Sequence, residues 1–148
     1  MTQGTPARRI VVGVDGSPSS NAALRWAARQ AELTGATLDA VIAWEYPASY
    51  GWSGTLADGD FGVWAGKALS DAVAAELGAE PAVVVRERVL GGNAATVLLD
   101  AAEGADLLVL GNRGRGGFRQ ALLGSVGQHC VQHADCPVVI VRGKHQDT

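Results

Sequence analysis

The residues with the clearest chemical potential are the run Gly111-Asn112-Arg113-Gly114 and, further on, Gly124-Ser125. Glycines at 111 and 114 admit positive φ and let a backbone come close to a ligand. Successive N–H groups in such a loop can form a nest for an anion. Gly124 and Ser125 open a predicted helix, and a helix start carries unpaired N–H groups and a partial positive charge. The Ser125 hydroxyl adds a donor. Together these parts make a phosphate cradle that needs few charged side chains. Read alone, the run fits a tight turn and a helix cap equally well, because generic glycine-rich signals are weak.

Two familiar phosphate loops fail on spacing. A dinucleotide fingerprint would place G-x-G-x-x-G directly after the first strand, where the chain has Gly13-Val14-Asp15-Gly16-Ser17-Pro18. A Walker A loop needs G-x-x-x-x-G-K, and the stretch from Gly62 to Gly66-Lys67 is one residue short.

Other side chains carry two readings each. Asp15 follows an apolar strand and sits at the predicted cleft as a candidate site residue, or else serves an Asx-turn or helix cap. Arg113, Arg115 and Arg119 lie in a stretch without acids. They can neutralise phosphate charge, although a solvated loop suits Arg115 and Arg119 at least as well. His129 and His133 are four apart, with Cys136 beyond, a passable zinc spacing. No fourth ligand accompanies them, so no metal site is expected there. Trp44, Trp52 and Trp64 surround a long polar loop. They pack it against the sheet, or one ring stacks on a base.

The elements that must position these residues are legible from periodicity. Ile10–Val14 reads as a first strand. A helix follows, with Ser17 as cap, Pro18 at its first position and Gly35 as its stop. Thr37–Trp44 is a second strand, followed by a loop from about Glu45 to Gly62 and a helix over roughly 63–77. A third strand covers about 83–89, and its alternation over Val85–Val89 predicts a half-exposed edge. A third helix spans about 94–102. Leu107–Leu110 is an uninterrupted apolar run, as for a strand buried on both faces. A fourth helix covers about 125–133, and Val138–Val141 is the last strand. The alternation of strand and helix predicts an open, mostly parallel sheet with helices on both faces. In such a sheet ligands bind beyond the carboxyl ends of the strands, where the strand order reverses. The strand-end residues Asp15-Gly16, Trp44 with its neighbours, Leu90-Gly91-Gly92 and the Gly111 loop are therefore the candidates.

Composition bounds the function class. At 148 residues the chain fits one domain, and 47% apolar residues suffice for a core. A net charge of −3 does not advertise a nucleic-acid or membrane partner. The N-terminal stretch lacks the apolar run of a signal peptide. Two cysteines make no disulfide scaffold, so a reducing, cytoplasmic setting is expected.

Taken together, these features resemble the universal stress protein family in its ATP-binding branch. That branch carries G-x2-G-x9-G-(S/T) after the fourth strand, and Gly111, Gly114, Gly124 and Ser125 match it without a gap. Val14-Asp15-Gly16-Ser17 before an alanine-rich helix, and Cys136-Pro137-Val138-Val139-Ile140-Val141 at the close, are similar too. The likeness covers about residues 8–142, leaving short tails that are expected to be flexible. It implies a Rossmann-like, adenine nucleotide alpha hydrolase-like fold with strand order 3-2-1-4-5 and four helices. It implies ATP as ligand, with adenine and ribose near Val14, Asp15 and the backbone of Val41 to Ala43. The phosphates would lie on the loop from Gly111 to Val126, and Mg2+ is possible at Asp15. A homodimer through the last strand is implied as well. ATP cleavage needs a placed metal, an oriented nucleophile and charge stabilisation in the transition state. Only Asp15 suggests a metal, and no base for water is evident. A regulatory ATP-binding module with at most slow hydrolysis is therefore expected. A weak ATPase or phosphotransferase, and a nucleotide-free dimeric interaction protein, stay open as alternatives.

Overall fold

A computed structural model describes residues 8–45, 58–113 and 124–143. Its elements are β1 (Arg9–Gly13), α1 (Pro18–Thr34), β2 (Thr37–Trp44), α2 (Asp58–Leu77), β3 (Val85–Gly91), α3 (Ala94–Ala101), β4 (Leu107–Gly111), α4 (Ser125–His133) and β5 (Val138–Val141). The five strands are parallel in the order β3-β2-β1-β4-β5, as the resemblance implied. The strand order reverses between β1 and β4, which places the switch point beside the Gly111 loop.

The helices cover both faces because side chains alternate along each strand. Val12, Leu38 and Ala40 face Leu24 of α1 and Leu69 of α2. Val11, Val41 and Leu108 face Leu98 of α3 and Cys130 of α4. Val11, Val12, Leu108 and Val109 are fully buried, so β1 and β4 form the middle of the sandwich. β3 is the edge that the charge alternation predicted, with Arg86 and Glu87 exposed.

The caps of α1 fall where the sequence puts them. Ser20 N donates to Ser17 Oγ at 3.2 Å, Pro18 opens the helix, and Gly35 closes it at φ 76°. Two boundaries differ from expectation. α2 starts at Asp58, not near Val63, and Phe61 in its first turns stacks on Trp44 at 6.3 Å and 8°. That long-range contact favours helix in a stretch whose local glycines argue for loop. β3 runs two residues later than expected because β2 offers partners up to Trp44, which pairs with Gly91.

The sequence reading gave no role to Asp39, yet it is fully buried in β2. Arg9 lies 3.3 Å from its Oδ2 and Arg86 3.2 Å from its Oδ1, with Arg88 at 4.0 Å. Arg9 also donates to the Ala101 and Glu103 carbonyls at 2.8 and 2.7 Å. These carbonyls lie at the C-terminal end of α3, where a cation is favoured by the helix dipole. The cluster ties β1, β2, β3 and α3 together at the end of the sheet away from the switch point.

Candidate nucleotide-binding site

A cavity of about 270 Å³ opens at the carboxyl ends of β1 and β4. Val14, Asp15, Ala43, Gly111, Arg113, Gly124, Ser125 and Val126 all line it. These are the sequence-derived candidates apart from Gly114, which lies outside the described residues together with Arg115, Arg119 and Trp52.

The split glycine motif is joined at its neck. Gly124 N donates to Asn112 O at 2.7 Å, so the two ends of the loop meet. Asn112 N donates to Val141 O at 2.9 Å, and Gly143 N donates to Asn112 Oδ1 at 3.4 Å. The neck is thus fixed to the end of β5. From it α4 begins, with Gly124 in the extended cap conformation (φ −69°, ψ 168°) and no side chain to cap the helix. The first helical bond runs from Gln128 N to Gly124 O at 2.9 Å. The N–H groups of Ser125, Val126 and Gly127 therefore have no helical acceptor, and all three residues line the cavity.

Gly111 corrects the sequence reading. Its φ is not positive. A Cβ there would lie 2.6 Å from Ser19 C and 2.7 Å from Ser20 N. The glycine is needed because the start of α1 presses on the end of β4, not because the chain turns left-handed.

Asp15 satisfies its local reading and still faces the cavity. Its Oδ1 accepts from Ser17 N at 2.9 Å, an Asx-turn, and its own N–H donates to Ser20 Oγ at 3.0 Å. Trp44 goes the other way. It packs on the α1–α2 face, 3.7 Å from a notional Cβ at Gly62, whereas the cavity reaches into the α3–α4 face. Of the strand-end candidates on β3, Gly91 and Gly92 do not line the cavity. Ala94 and Leu98 of α3 do, together with Ser20, Leu110 and Asn112. Of these five the sequence marked Asn112 alone, within the Gly111-Asn112-Arg113-Gly114 run, and gave the other four no site role. Only the position of Ala94 just after the Gly91-Gly92 turn hinted at it. His129 and His133 have rings 4.5 Å apart on the exposed side of α4, away from the cavity lining.

The donor set suits a nucleotide. Apolar walls from Val41, Ala43 and Leu98 offer a surface for a base, and the unpaired α4 amides suit phosphate. For Mg2+ the described cavity lining offers one carboxylate, Asp15. No group of three or more His, Cys, Asp or Glu residues that could hold a metal occurs among them. One carboxylate plus phosphate oxygens is a common Mg2+ arrangement, so the fit is to a phosphate-borne ion rather than to a protein cage.

The universal stress protein family model matches residues 6–142. The chain belongs to the universal stress protein family. A universal stress protein of Mycobacterium tuberculosis is 36% identical over 148 residues, covering 95% of this chain and 50% of that protein. The chain spans about half the length of the curated universal stress proteins it matches. A crystal structure of a universal stress protein in complex with cAMP is 27% identical, with a TM-score of 0.61 over 95% of this chain and 100% of that one. A universal stress protein family structure from Arabidopsis thaliana with AMP bound is 18% identical, with a TM-score of 0.62 over 95% of each chain. At that identity the likeness shows the shared fold. No described helix of this universal stress protein is long and apolar enough to cross a membrane.

Proposed function

We propose that this universal stress protein domain is a regulatory module that binds ATP, or a closely related adenine nucleotide, in the cavity at the β1–β4 switch point. The observation that carries the reading is the uncapped start of α4. Ser125, Val126 and Gly127, whose N–H groups have no helical acceptor, line a cavity whose other wall is apolar. The cAMP bound by a relative with the same fold supports an adenine nucleotide as the class of ligand. The base would rest against Val14, Val41, Ala43 and Leu98, with the ribose near Asp15. The phosphates would take the N–H groups of Ser125 to Gly127, the Ser125 hydroxyl and the loop that begins at Arg113 and Gly114. Asp15 is the residue to hold Mg2+ beside them.

Holding fits this site better than cleaving. The polar side chains described around the cavity are Asp15, Ser20, Asn112, Arg113 and Ser125, with no histidine or lysine to take a proton from water. Slow hydrolysis is the most that this set supports. We also assign β5 as a homodimer edge. All four of its residues are half-buried, and its outer side pairs with no other strand among the described residues. Sedimentation as a monomer at high concentration would remove that assignment. Cytoplasmic residence agrees with two free cysteines.

The test is mass analysis of the nucleotide carried by the purified protein, with thermal unfolding in Mg-ATP. At a thousandfold excess over the dissociation constant, ligand stabilises the fold by about 4 kcal/mol. No co-purified nucleotide and no shift at millimolar ATP would refute the reading.

A further inference from the structure

The backbone of β3 is paired on one side only. It bonds to β2 over Val85 to Gly91, and no other described strand lies beside it. Leu38 N donates to Val84 O at 2.9 Å and Gly92 N donates to Trp44 O at 2.7 Å, at the two ends of the ladder. Bonding groups alternate in direction along a strand. Val84 and Gly92 turn theirs toward β2, and so do Arg86, Arg88 and Leu90 between them. The N–H and C=O groups of Val85, Glu87 and Val89 are left on the open side.

The side chains of this edge are sorted by charge. The register places Arg86 opposite Asp39 and Arg88 opposite Val41, on the α3 side of the sheet. Glu87 serves the other side, where Ser70 of α2 donates to its carboxylate at 2.6 Å. On the α3 side one carboxylate, Asp39, stands among three guanidiniums. Asp39 is fully buried, while Arg86 and Arg88 are 57% and 36% exposed. The edge therefore presents two cations in a row at i and i+2, held from beneath by a single anion. The whole chain is acidic, with a net charge of −3, so this local excess of positive charge runs against its overall sign. Val84 and Val89 leave apolar surface exposed on the same edge.

We propose that the open edge of β3 is a docking site for an extended acidic segment of a partner protein, which adds to the sheet as a further strand. Its backbone bonds to Val85, Glu87 and Val89. Carboxylates at alternate positions stand beside Arg86 and Arg88. Charges on an edge strand ordinarily deter pairing. Here they deter a second copy of the chain, because antiparallel pairing of β3 with itself about a two-fold axis sets arginines against arginines on the α3 side. A strand of opposite sign meets no such penalty. The site shares no residue with the nucleotide cavity, so it stands apart from the nucleotide reading.

The test uses the intact chain and two synthetic peptides, one alternating Glu with Thr and one alternating Lys with Thr. The Glu peptide is expected to bind, and amide hydrogen exchange at Val85, Glu87 and Val89 to slow in proportion to the fraction bound. The Lys peptide should do neither. Arg88→Gln removes the guanidinium farthest from Asp39 and should weaken the Glu peptide about fivefold, on the order of a surface ion pair. The two peptides are compared on the unaltered chain, so the proposal remains testable if the variant folds poorly. Equal binding of both peptides, or binding of neither, overturns the proposal. So does a folded Arg88→Gln chain that binds the Glu peptide undiminished. Glu-peptide binding with unchanged exchange at the three amides marks a charged patch without strand addition, and also overturns it. Protection of these amides that grows with protein concentration before any peptide is added would give the edge to a second copy instead.

Discussion

Two helices begin at the same end of the sheet, and their first turns are built in opposite ways. α1 closes on itself. Pro18 lacks an N–H, Ser17 Oγ takes Ser20 N, and Asp15 takes Ser17 N while giving its own N–H to Ser20 Oγ. α4 begins at a glycine without a capping side chain, and the residues of its first turn line a cavity. Helix starts share one problem, a surplus of backbone donors. α1 solves it within the chain and becomes a structural post. α4 leaves it to be solved by something that brings its own oxygens. A glycine cap costs a little stability, on the order of a few tenths of a kcal/mol by comparison with a Ser or Asp cap. A bound phosphate would restore it.

Substitutions at the two helix starts should therefore separate fold from binding. The largest effect is expected at Gly111, where α1 presses on β4. Gly111→Val drives a side chain into the Ser19 and Ser20 backbone and should cost about 3 kcal/mol or more, read from urea unfolding. Ordinary stability in that variant would mean that α1 is not seated where the structure puts it. Ser17→Ala removes the α1 cap and should cost about 1 kcal/mol of stability with or without nucleotide. Ser125→Ala should leave the stability of the free protein within about 0.5 kcal/mol and weaken ATP binding several-fold, by one lost donor. If Ser125→Ala instead destabilises the free protein as much as Ser17→Ala does, the contrast between the two starts disappears.

The smallest effect concerns Cys130 beneath α4. Burial raises its thiol from 9.0 to about 11, and it is fully buried. The thiolate is the reactive form, so alkylation at neutral pH should be slow and should rise with pH toward 11. The raised thiol contributes fully below pH 9, and the contribution is lost as pH climbs from about 9 through 11, where only the unfolded chain ionises readily. ATP should slow Cys130 alkylation further by steadying α4. Fast labelling at pH 7 would show that α4 is loosely held even without a ligand.

Much of this was legible in the sequence because it is local. Ser17, Pro18 and Gly35 marked the ends of α1 through capping chemistry, and Ser125–His133 was read with its observed bounds. The alternation over Val85–Val89 announced an edge strand. Features that depend on distant partners were not legible. Asp39 looks like an ordinary strand residue until β1 and β3 bring Arg9 and Arg86 beside it. Gly111 was noticed for the wrong reason, since only the packing of α1 reveals why no Cβ fits. Ser19, Ala94 and Leu98 carry no motif, and their places follow from how helices cross the sheet. The strand order itself came from family resemblance, because periodicity alone does not say which strands are neighbours.

The central claim is that the first N–H groups of α4 receive the phosphates of an adenine nucleotide. The most direct measurement is a titration of 15N-labelled protein followed by amide resonances, with adenosine, AMP and ATP in turn. The account predicts downfield shifts at Ser125, Val126 and Gly127 that grow as phosphates are added, with smaller changes at Val14 and Ala43 that adenosine already produces. ATP that binds while leaving the Ser125 to Gly127 amides unmoved would contradict it.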